Sequence, residues 1–341
     1  MSTLQHNSAG IQSKIHESPV LEVTDLTKHF KIRRMGGLLG KKTILKAVDG
    51  VSFKVKEGET FGLVGESGCG KSTIARLVLN ITPPTFGAVV FKGRKISGLP
   101  VTEWRSLRAL MQYVFQDPLG ALDPRMKIID QVAEPLLIHK IVPASKSRDK
   151  AAELLISLDL KTYFFHRYPH ELSGGQRQRA VLARALILEP ELIVCDEPVS
   201  ALDVSIQAQV VNLLSALQNR MRLTMIFISH DMSVVRHVCE QIAVMYLGKI
   251  VEQAEGDALF SDPGHPYTRA LLSAVPIPEP GLRRERIFLR GEPPSPIDLP
   301  SGCRFHTRCC LARPICSERE PELKRLKEGQ AVACHVAHGD A

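Results

Sequence analysis

The stretch that most constrains how this chain can fold is a glycine-rich segment at 65–73, which reads Gly-Glu-Ser-Gly-Cys-Gly-Lys-Ser-Thr. An apolar run over 60–64 leads into it and helix-like spacing over 74–79 follows it, which is the strand, loop and helix context of a phosphate-binding loop. Glycine lets backbone N–H groups turn inward around a phosphate, and a helix that begins near Lys71 adds its positive N-terminal end. The alternative interpretation is a chance glycine-rich turn.

Two side chains carry the chemistry of this loop. We predict that Lys71 reaches the β- and γ-phosphates of a nucleotide and that the Ser72 hydroxyl ligates Mg²⁺. The residues predicted to bind nucleotide are Gly65, Glu66, Ser67, Gly68, Cys69, Gly70, Lys71, Ser72 and Thr73.

A second apolar run, over 192–195, ends in two carboxylates, Asp196 and Glu197. On a sheet shared with the phosphate-loop strand, Asp196 would lie near the Mg²⁺ and hold it through water. Glu197 is placed to take a proton from an attacking water, and such general-base assistance is worth about 10²–10⁴-fold in rate. Two acids at a strand end are ordinarily solvated, so only their pairing with a phosphate loop favours the catalytic interpretation.

A third element begins a helix that runs to about residue 188. Its four residues are Ser173, Gly174, Gly175 and Gln176. A helix N-terminus rich in glycine attracts phosphate. One nucleotide needs only one such cradle, so a second one in the same chain indicates a nucleotide held by another subunit. The alternative is a simple N-cap with glycine flexibility.

Length and composition are those of an ordinary globular protein. The 341 residues correspond to about two domains, and 44% of them are hydrophobic and 23% charged. No apolar run approaches the ~18 residues of a membrane span and residues 1–17 are not a signal peptide, so we expect a cytoplasmic chain. The net charge of +8 favours anionic surfaces such as lipid headgroups or nucleic acid.

Periodicity predicts an α/β fold with an added helical part. Segments that predict an antiparallel β layer lie at 20–23, 51–55 and 87–91. Helical spacing over 125–185 predicts a helical insertion. The later strands lie at 192–195, 225–228 and 242–245, with helices between them at 205–220 and 232–239. This alternation predicts a parallel sheet with helices on both faces.

The motifs occur in a fixed order: phosphate loop, Gln116, Leu-Ser-Gly-Gly-Gln, Asp-Glu, Ser-Ala-Leu-Asp at 200–203, and His230. In this order they resemble the nucleotide-binding subunit of an ATP-binding cassette (ABC) transporter. The resemblance implies a P-loop NTPase fold with a RecA-like parallel core sheet, an antiparallel β layer, a helical subdomain and a small Cys-rich extension. The implied segments are a disordered 1–17, an ATPase domain 18–262 with its helical subdomain at about 117–190, and a proline-rich linker with a Cys-rich domain at 263–341.

The same resemblance implies roles for single residues. Two subunits would face head to tail, with each ATP between one phosphate loop and the partner's signature segment, 173–176. Asp203 would communicate between the two sites, and Gln116 would contact Mg²⁺ and the attacking water. His230 would contact the γ-phosphate. Phe30 stands where the family places a ring on adenine, although tyrosine is more common there, and the alternative interpretation is an ordinary core aromatic.

Longer segments narrow the resemblance to one branch of the family. Those similar to oligopeptide/dipeptide importer ATPases lie at 114–118, 196–205, 265–272 and 291–296. Gln-Arg-Gln-Arg at 176–179 resembles the second of the two ATPase subunits that such importers use. The branch implies a heterodimer with a paralogous ATPase, two membrane permeases docked near Gln116 and the helical insertion, and an extracytoplasmic peptide-binding protein. It also implies a peripheral location on the cytoplasmic face of the inner membrane.

Five of the eight cysteines crowd the C-terminus, which in a cytosolic chain favours metal over disulfides. The four that coincide with the branch's cysteine pattern, associated with a [4Fe–4S] cluster, are Cys303, Cys309, Cys316 and Cys334, with Cys310 as an extra neighbour. Thiolates bind Zn²⁺ as readily, and His306 and His335 could complete a zinc site. Metal-free thiols are the third interpretation.

The predicted function is an ATPase that powers import of di- or oligopeptides and has no nucleic-acid partner. Importers of nickel, glutathione or antimicrobial peptides stay open as alternatives, because this subunit never touches cargo. A cassette ATPase that acts on ribosomes or DNA would carry two cassettes in one chain or a long coiled coil between the motifs, and this sequence has neither. An export cassette would predict a fused membrane domain or the absence of the importer-like tail.

Overall fold

Two β-sheets and a helical segment make up the computed structural model, which describes residues 19–33, 42–200, 202–275 and 286–340. The segment predicted to be disordered, 1–17, lies outside them. The strands are β1 (Leu21–Arg33), β2 (Lys42–Val55), β3 (Thr60–Val64), β4 (Phe86–Phe91), β5 (Arg94–Lys95), β6 (Met111–Val114), β7 (Leu192–Asp196), β8 (Thr224–Ser229), β9 (Gln241–Tyr246), β10 (Lys249–Glu255), β11 (Lys324–Lys327) and β12 (Gln330–Val332). The α-helices are α1 (Lys71–Val78), α2 (Val101–Leu107), α3 (Pro118–Ala121), α4 (Ile128–Ile138), α5 (Ala144–Ser157), α6 (Gly174–Leu186), α7 (Val204–Met221), α8 (Met232–Val238), α9 (Gly256–Ser261), α10 (Pro266–Ser273), α11 (Pro314–Glu318) and α12 (His335–His338). Short 3₁₀ turns occur at Thr162–Phe164, Pro169–Glu171 and His306–Arg308.

The larger sheet has the strand order β11-β12-β10-β9-β3-β8-β7-β6. Strands β9, β3, β8, β7 and β6 are parallel, and every residue of β3, β7 and β8 is buried. Successive residues of β7 enter two different hydrophobic cores, Ile193 one and Val194 the other, because both faces of the sheet are covered. Parallel strands end at one edge, so the carboxyl ends of β3, β7 and β8 bring the phosphate loop, Glu197 and His230 together. The predicted parallel α/β core is confirmed.

The smaller sheet is antiparallel, with the order β2-β1-β4-β5. It packs against the phosphate-loop strand, where Phe53 of β2 stacks on Phe61 of β3 with ring centroids 4.8 Å apart. Buried and exposed residues alternate over 51–55, as expected of a strand with one covered face. Ile74 and Leu77 of α1 complete the same core. The predicted antiparallel layer is therefore present beside the core sheet.

Helices α3 to α6 fill the interval between β6 and β7, where the sequence predicts a helical insertion. Val132 and Leu136 of α4 pack with Leu155 of α5 and Leu182 of α6, and all four side chains are fully buried. This packing gives the helical segment a core that continues into the core on one face of the larger sheet.

The C-terminal extension joins the larger sheet. Strand β12 pairs antiparallel with β10, placing Val332 opposite Glu252, and β11 pairs with β12. Phe305 packs against Tyr246 and Tyr267, with its ring centroid 5.3 Å from each. Backbone pairing and aromatic packing together hold the extension to the core. Predicted linker prolines outside the described residues are Pro276, Pro278 and Pro280.

Candidate nucleotide-binding site

The loop between β3 and α1 makes close approaches that require glycine. Gly65 has φ +151° and Gly70 has φ +114°. A Cβ atom on Gly65 would overlap the carbonyl oxygen of Met245, and one on Gly70 would overlap that of Ala47. Because α1 begins at Lys71, its first N–H groups lie at the end of this loop and lack intrahelical acceptors. They are donors that a phosphate group can use.

Lys71 is a buried cation held by its own loop. Its Nζ donates to the carbonyl oxygens of Gly65 at 2.8 Å and Glu66 at 3.0 Å, and it lies 3.8 Å from Sγ of Cys69. Burial raises the pKa of Cys69, so the thiol stays protonated and adds no negative charge. Within the described part of the chain no carboxylate forms an ion pair with Lys71. A buried ammonium without a counter-charge is costly, so this site fits an anionic ligand such as a triphosphate.

Oxygen ligands of the kind that Mg²⁺ prefers come together from Ser72, at the start of α1, and Asp196, at the end of β7. Oγ of Ser72 donates to Oδ1 of Asp196 at 3.1 Å, and the Tyr113 hydroxyl donates to Oδ2 at 2.6 Å. Burial, and then the hydrogen bond to Asp196, raise the pKa of Tyr113 well above its ordinary value, so this hydroxyl stays a donor. Hydroxyl and carboxylate oxygens fit Mg²⁺. Sequence reasoning missed Tyr113, whose only signal is its position on the strand that precedes Gln116.

Two of the predicted catalytic side chains, Gln116 and His230, contact the carboxylate of the third, Glu197. Glu197 follows β7 with φ +49°, and its N–H donates to the carbonyl oxygen of Ile228 in β8 at 3.0 Å. Nε2 of Gln116 donates to Oε2 of Glu197 at 2.8 Å, while Nδ1 of His230 lies 3.3 Å from Oε1. A left-handed conformation in a non-glycine residue stores strain, and such strain clusters at functional sites. Both oxygens of Glu197 are thus oriented at the edge of the sheet that bears the phosphate loop.

The signature segment starts helix α6 with a reciprocal cap. Oγ of Ser173 accepts from the N–H of Gln176 at 3.4 Å, and Oε1 of Gln176 accepts from the N–H of Ser173 at 2.9 Å. Ser173 and Gly174 are exposed, whereas Gly175 is buried against Ile206 of α7. Among the described residues no hydrogen bond joins this segment to Lys71.

The remaining predicted residues take part in other contacts. Asp203 is exposed at the N-cap of α7 and its side chain makes no capping hydrogen bond. Phe30 lies in β1 opposite Leu45, with Nζ of Lys28 5.2 Å from its ring centroid. Its role in adenine stacking stays a prediction. In the phosphate loop, Ser67 and Gly68 are exposed and Thr73 is half-buried.

Comparison with known proteins decides the family. A family model described as "ABC transporter" matches residues 48–200, and one described as "Oligopeptide/dipeptide transporter, C-terminal region" matches 251–316. The putative oligopeptide transport ATP-binding protein YkfD of Bacillus subtilis is 51% identical over 93% of this chain and 95% of its own length. OppF of Salmonella typhimurium, an oligopeptide transport ATP-binding protein, is 50% identical over 92% and 95%. The chain belongs to the oligopeptide branch of the ABC transporter ATP-binding proteins.

Solved ABC structures share the fold of this subunit. The dimeric ATP-binding cassette MJ0796, in a post-hydrolysis state bound to ADP and Pi, is 29% identical with a TM-score of 0.61. The match covers 69% of this chain and 98% of that one. The predicted cassette fold and ATPase class are confirmed. In the described ranges, no helix of this ABC subunit is both long enough and apolar enough to cross a bilayer.

The structure does not support a metal site in the extension of this ABC subunit. Burial raises the pKa of Cys303 and of Cys309 to about 11, with smaller contributions from neighbouring cysteines. Those neighbours include Cys316 and Cys334, so the four thiols lie in one region. Across residues 19–33, 42–200, 202–275 and 286–340, however, no group of three or more Cys, His, Asp or Glu side chains converges to hold a metal ion. Other contacts occupy the proposed zinc ligands: His306 bonds the Cys303 carbonyl, and His335 bonds the Arg319 carbonyl and Asp340.

Proposed function

We propose that this protein hydrolyses Mg·ATP and that hydrolysis drives import of di- and oligopeptides through a membrane permease. The observation that carries the hydrolytic part is the placement of Glu197 between Gln116 and His230, beside the phosphate loop. The oligopeptide transport ATP-binding proteins at 50–51% identity support peptides as the cargo. Nickel, glutathione and antimicrobial-peptide importers are the alternatives within the family.

In this proposal each residue has one task. Lys71 and the first N–H groups of α1 hold the phosphates, and Ser72 and Asp196 hold Mg²⁺. When bound, Mg²⁺ offsets the charge of the phosphate oxygens. Glu197 accepts a proton from the attacking water. Gln116 holds one oxygen of that carboxylate and faces the attacking water. His230 holds the other oxygen and faces the γ-phosphate.

The working unit in this proposal is a dimer. The exposed N-terminus of α6, with Ser173 and Gly174 at its start, is accessible to the phosphates of a facing protomer. Asp203 is exposed at the start of α7, where it can contact the facing protomer. The cassette MJ0796, which is dimeric in its post-hydrolysis state, supports this arrangement. We propose a paralogous ATPase as the partner.

A groove next to Gln116 is the proposed docking site for the permeases. The groove has a volume of about 470 Å³ and lies between the core and the helical segment, lined by residues that include Trp104, Phe115 and Ile138. Phe115 and Ile138 are 47% and 67% exposed, which is high for apolar side chains and typical of an interaction surface. A permease segment seated here would touch the residue next to Gln116. The protein would thereby lie on the membrane surface, and a separate binding protein would choose the peptide.

The deciding experiment measures Mg·ATP binding and peptide uptake in the reconstituted transporter. The wild type should bind Mg·ATP and Lys71→Ala should not. The transporter that carries Lys71→Ala should therefore take up no peptide. Lys146→Ala, which alters an exposed lysine on α5, is the matched control and should behave as the wild type. A wild type that co-purifies with ribosomes or DNA instead of membranes would contradict the transport proposal.

Two finer predictions are retained as proposals. One is a [4Fe–4S] cluster, or Zn²⁺, on Cys303, Cys309, Cys316 and Cys334; it rests on the resemblance of these cysteines to the branch's pattern and not on converging ligands in the structure. Purified protein that contains neither iron, labile sulfide nor zinc would reject it.

The other proposal is the division of the chain into an ATPase domain at 18–262 and an extension at 263–341, which limited proteolysis would test.

A further inference from the structure

The C-terminal extension reaches the phosphate loop through Arg308. Its Nη1 donates to Oε2 of Glu66 at 2.9 Å and to Oε1 at 3.1 Å. The Arg308 side chain is only 7% exposed, and its Nη1 also donates to the Tyr246 hydroxyl at 3.4 Å. Charge-assisted hydrogen bonds of this kind are stronger than neutral ones. Glu66, the second residue of the loop, is thus paired with the extension.

A second contact holds the backbone of the same residue. The N–H of Glu66 donates to the hydroxyl of Tyr267 at 2.9 Å, and Tyr267 is fully buried on α10. The start of α10 is itself fixed: Nδ1 of His265 accepts from the N–H of Tyr267, and the buried Glu252 accepts from the N–H groups of Gly264 and His265. Residues after the core strands therefore hold both the side chain and the backbone of Glu66.

The charge of Glu66 makes this arrangement consequential. A carboxylate in a loop that receives a triphosphate repels the phosphates unless a cation offsets it. Arg308 supplies that cation and holds the carboxylate toward the extension. The carbonyl oxygen of Glu66 also accepts from Nζ of Lys71 at 3.0 Å, so a displaced Glu66 changes the position of Lys71.

We propose that the C-terminal extension positions the phosphate loop for ATP, with Arg308 neutralising and holding the Glu66 carboxylate and Tyr267 holding its N–H. Arg308 and Tyr267 are positioning residues, since they act on ATP through Glu66. The inference rests on the proposed function, because it presupposes that the loop binds ATP. In this arrangement the affinity of the phosphate loop for ATP depends on the docked extension.

The test is the dissociation constant for Mg·ATP, measured by calorimetry on the full-length protein. Arg308→Met should weaken binding about tenfold, the scale of one charge-assisted hydrogen bond. Adding Glu66→Gln to that variant should restore binding to within about threefold of the wild type, because the repulsive charge is gone. Arg308→Lys, which keeps the cation, should also recover most of the affinity. A purely structural role of Arg308 predicts no recovery in the double variant.

Arg313→Met is the control. Arg313 lies on the same extension, but its Nη1 donates to the carbonyl oxygen of Asp340 and not to the phosphate loop. This control should leave the dissociation constant for Mg·ATP within about twofold of the wild type, since additive effects are expected of sites without shared partners.

The proposal is overturned by an unchanged dissociation constant in Arg308→Met, or by a double variant as weak as Arg308→Met alone. If Arg308→Met does not fold, Tyr267→Phe decides instead. It removes one hydroxyl, and weaker binding supports the proposal while unchanged binding overturns it. A wild type that does not bind Mg·ATP is a separate outcome, which refutes the proposed function itself.

Discussion

Nε2 of Gln116 lies 2.8 Å from Oε2 of Glu197, although 81 residues separate them in sequence. Gln116 comes just after β6 and Glu197 just after β7, and these strands are parallel neighbours in the larger sheet. His230, after β8, approaches the other oxygen of the same carboxylate. Three strand ends thus restrict the rotation of one carboxylate, which is the preorganisation that a general base needs.

Glu197→Gln should keep Mg·ATP binding and lose turnover by about 10²–10⁴-fold, because an amide cannot accept the proton of the attacking water. Phosphate release and nucleotide binding measured on the same preparation check this. Glu191→Gln, which alters a surface acid paired with Lys92, is the control and should hydrolyse ATP normally. Equal turnover in the wild type and Glu197→Gln would end the general-base assignment.

Tyr113→Phe should raise the Mg²⁺ concentration for half-maximal ATPase activity about tenfold, the low end of the effect of losing a ligand's hydrogen-bond partner. The reason is that the Tyr113 hydroxyl orients the Asp196 carboxylate, whose other oxygen bonds Ser72. A magnesium titration at saturating ATP measures it. Tyr163→Phe, at an exposed tyrosine, should leave the titration unchanged. An identical curve for Tyr113→Phe would exclude this role.

The free energy of unfolding should fall in mild acid because of His265. Burial, and then the charge of Arg269, lower the pKa of His265 to about 3. In the unfolded chain histidine titrates near 6.5, so below that pH the unfolded state gains a proton that the folded state does not. The stability present above pH 6.5 is therefore lost as the pH falls, by about 1.4 kcal/mol at pH 5.5.

Urea unfolding of the wild type and His265→Asn at pH 7.5 and 5.5 isolates this contribution. Asparagine can still accept from the N–H of Tyr267, and it does not titrate. The variant should lose about 1.4 kcal/mol less between the two pH values than the wild type does. The same loss in both proteins would show that His265 is not responsible.

Gly175→Ala should lower the free energy of unfolding by about 1–3 kcal/mol, the usual cost of overpacking, despite the better helix propensity of alanine. A Cβ atom there would lie 2.6 Å from Cγ2 of Ile206, a stiff β-branched side chain. Gly174→Ala is the matched comparison, since its Cβ atom would lie 3.2 Å from Cδ2 of Leu202, which can rotate away. Denaturant unfolding of both variants measures the difference. Equal costs would contradict the assigned contact.

The features that could be predicted from the sequence alone are local ones. The phosphate loop is contiguous, because a ring of N–H groups around a phosphate needs neighbouring residues. The cap at Ser173 and Gln176 spans a single helical turn. Fully buried strands such as β7 are continuous apolar runs, and their alternation with helices predicted a parallel sheet. Parallel strand ends meet at one edge, so even the meeting of Asp196 with Ser72 followed from local patterns.

Only the tertiary structure shows which segments lie behind that edge, because no local sequence pattern predicts them. Arg308 and Glu66 are 242 residues apart, and they meet because the extension docks on the core. Strand β12 joins the larger sheet beside β10, and Tyr113 faces Asp196 because β6 lies beside β7. Strand order and docking depend on the summed packing of the whole chain, and no single segment encodes them.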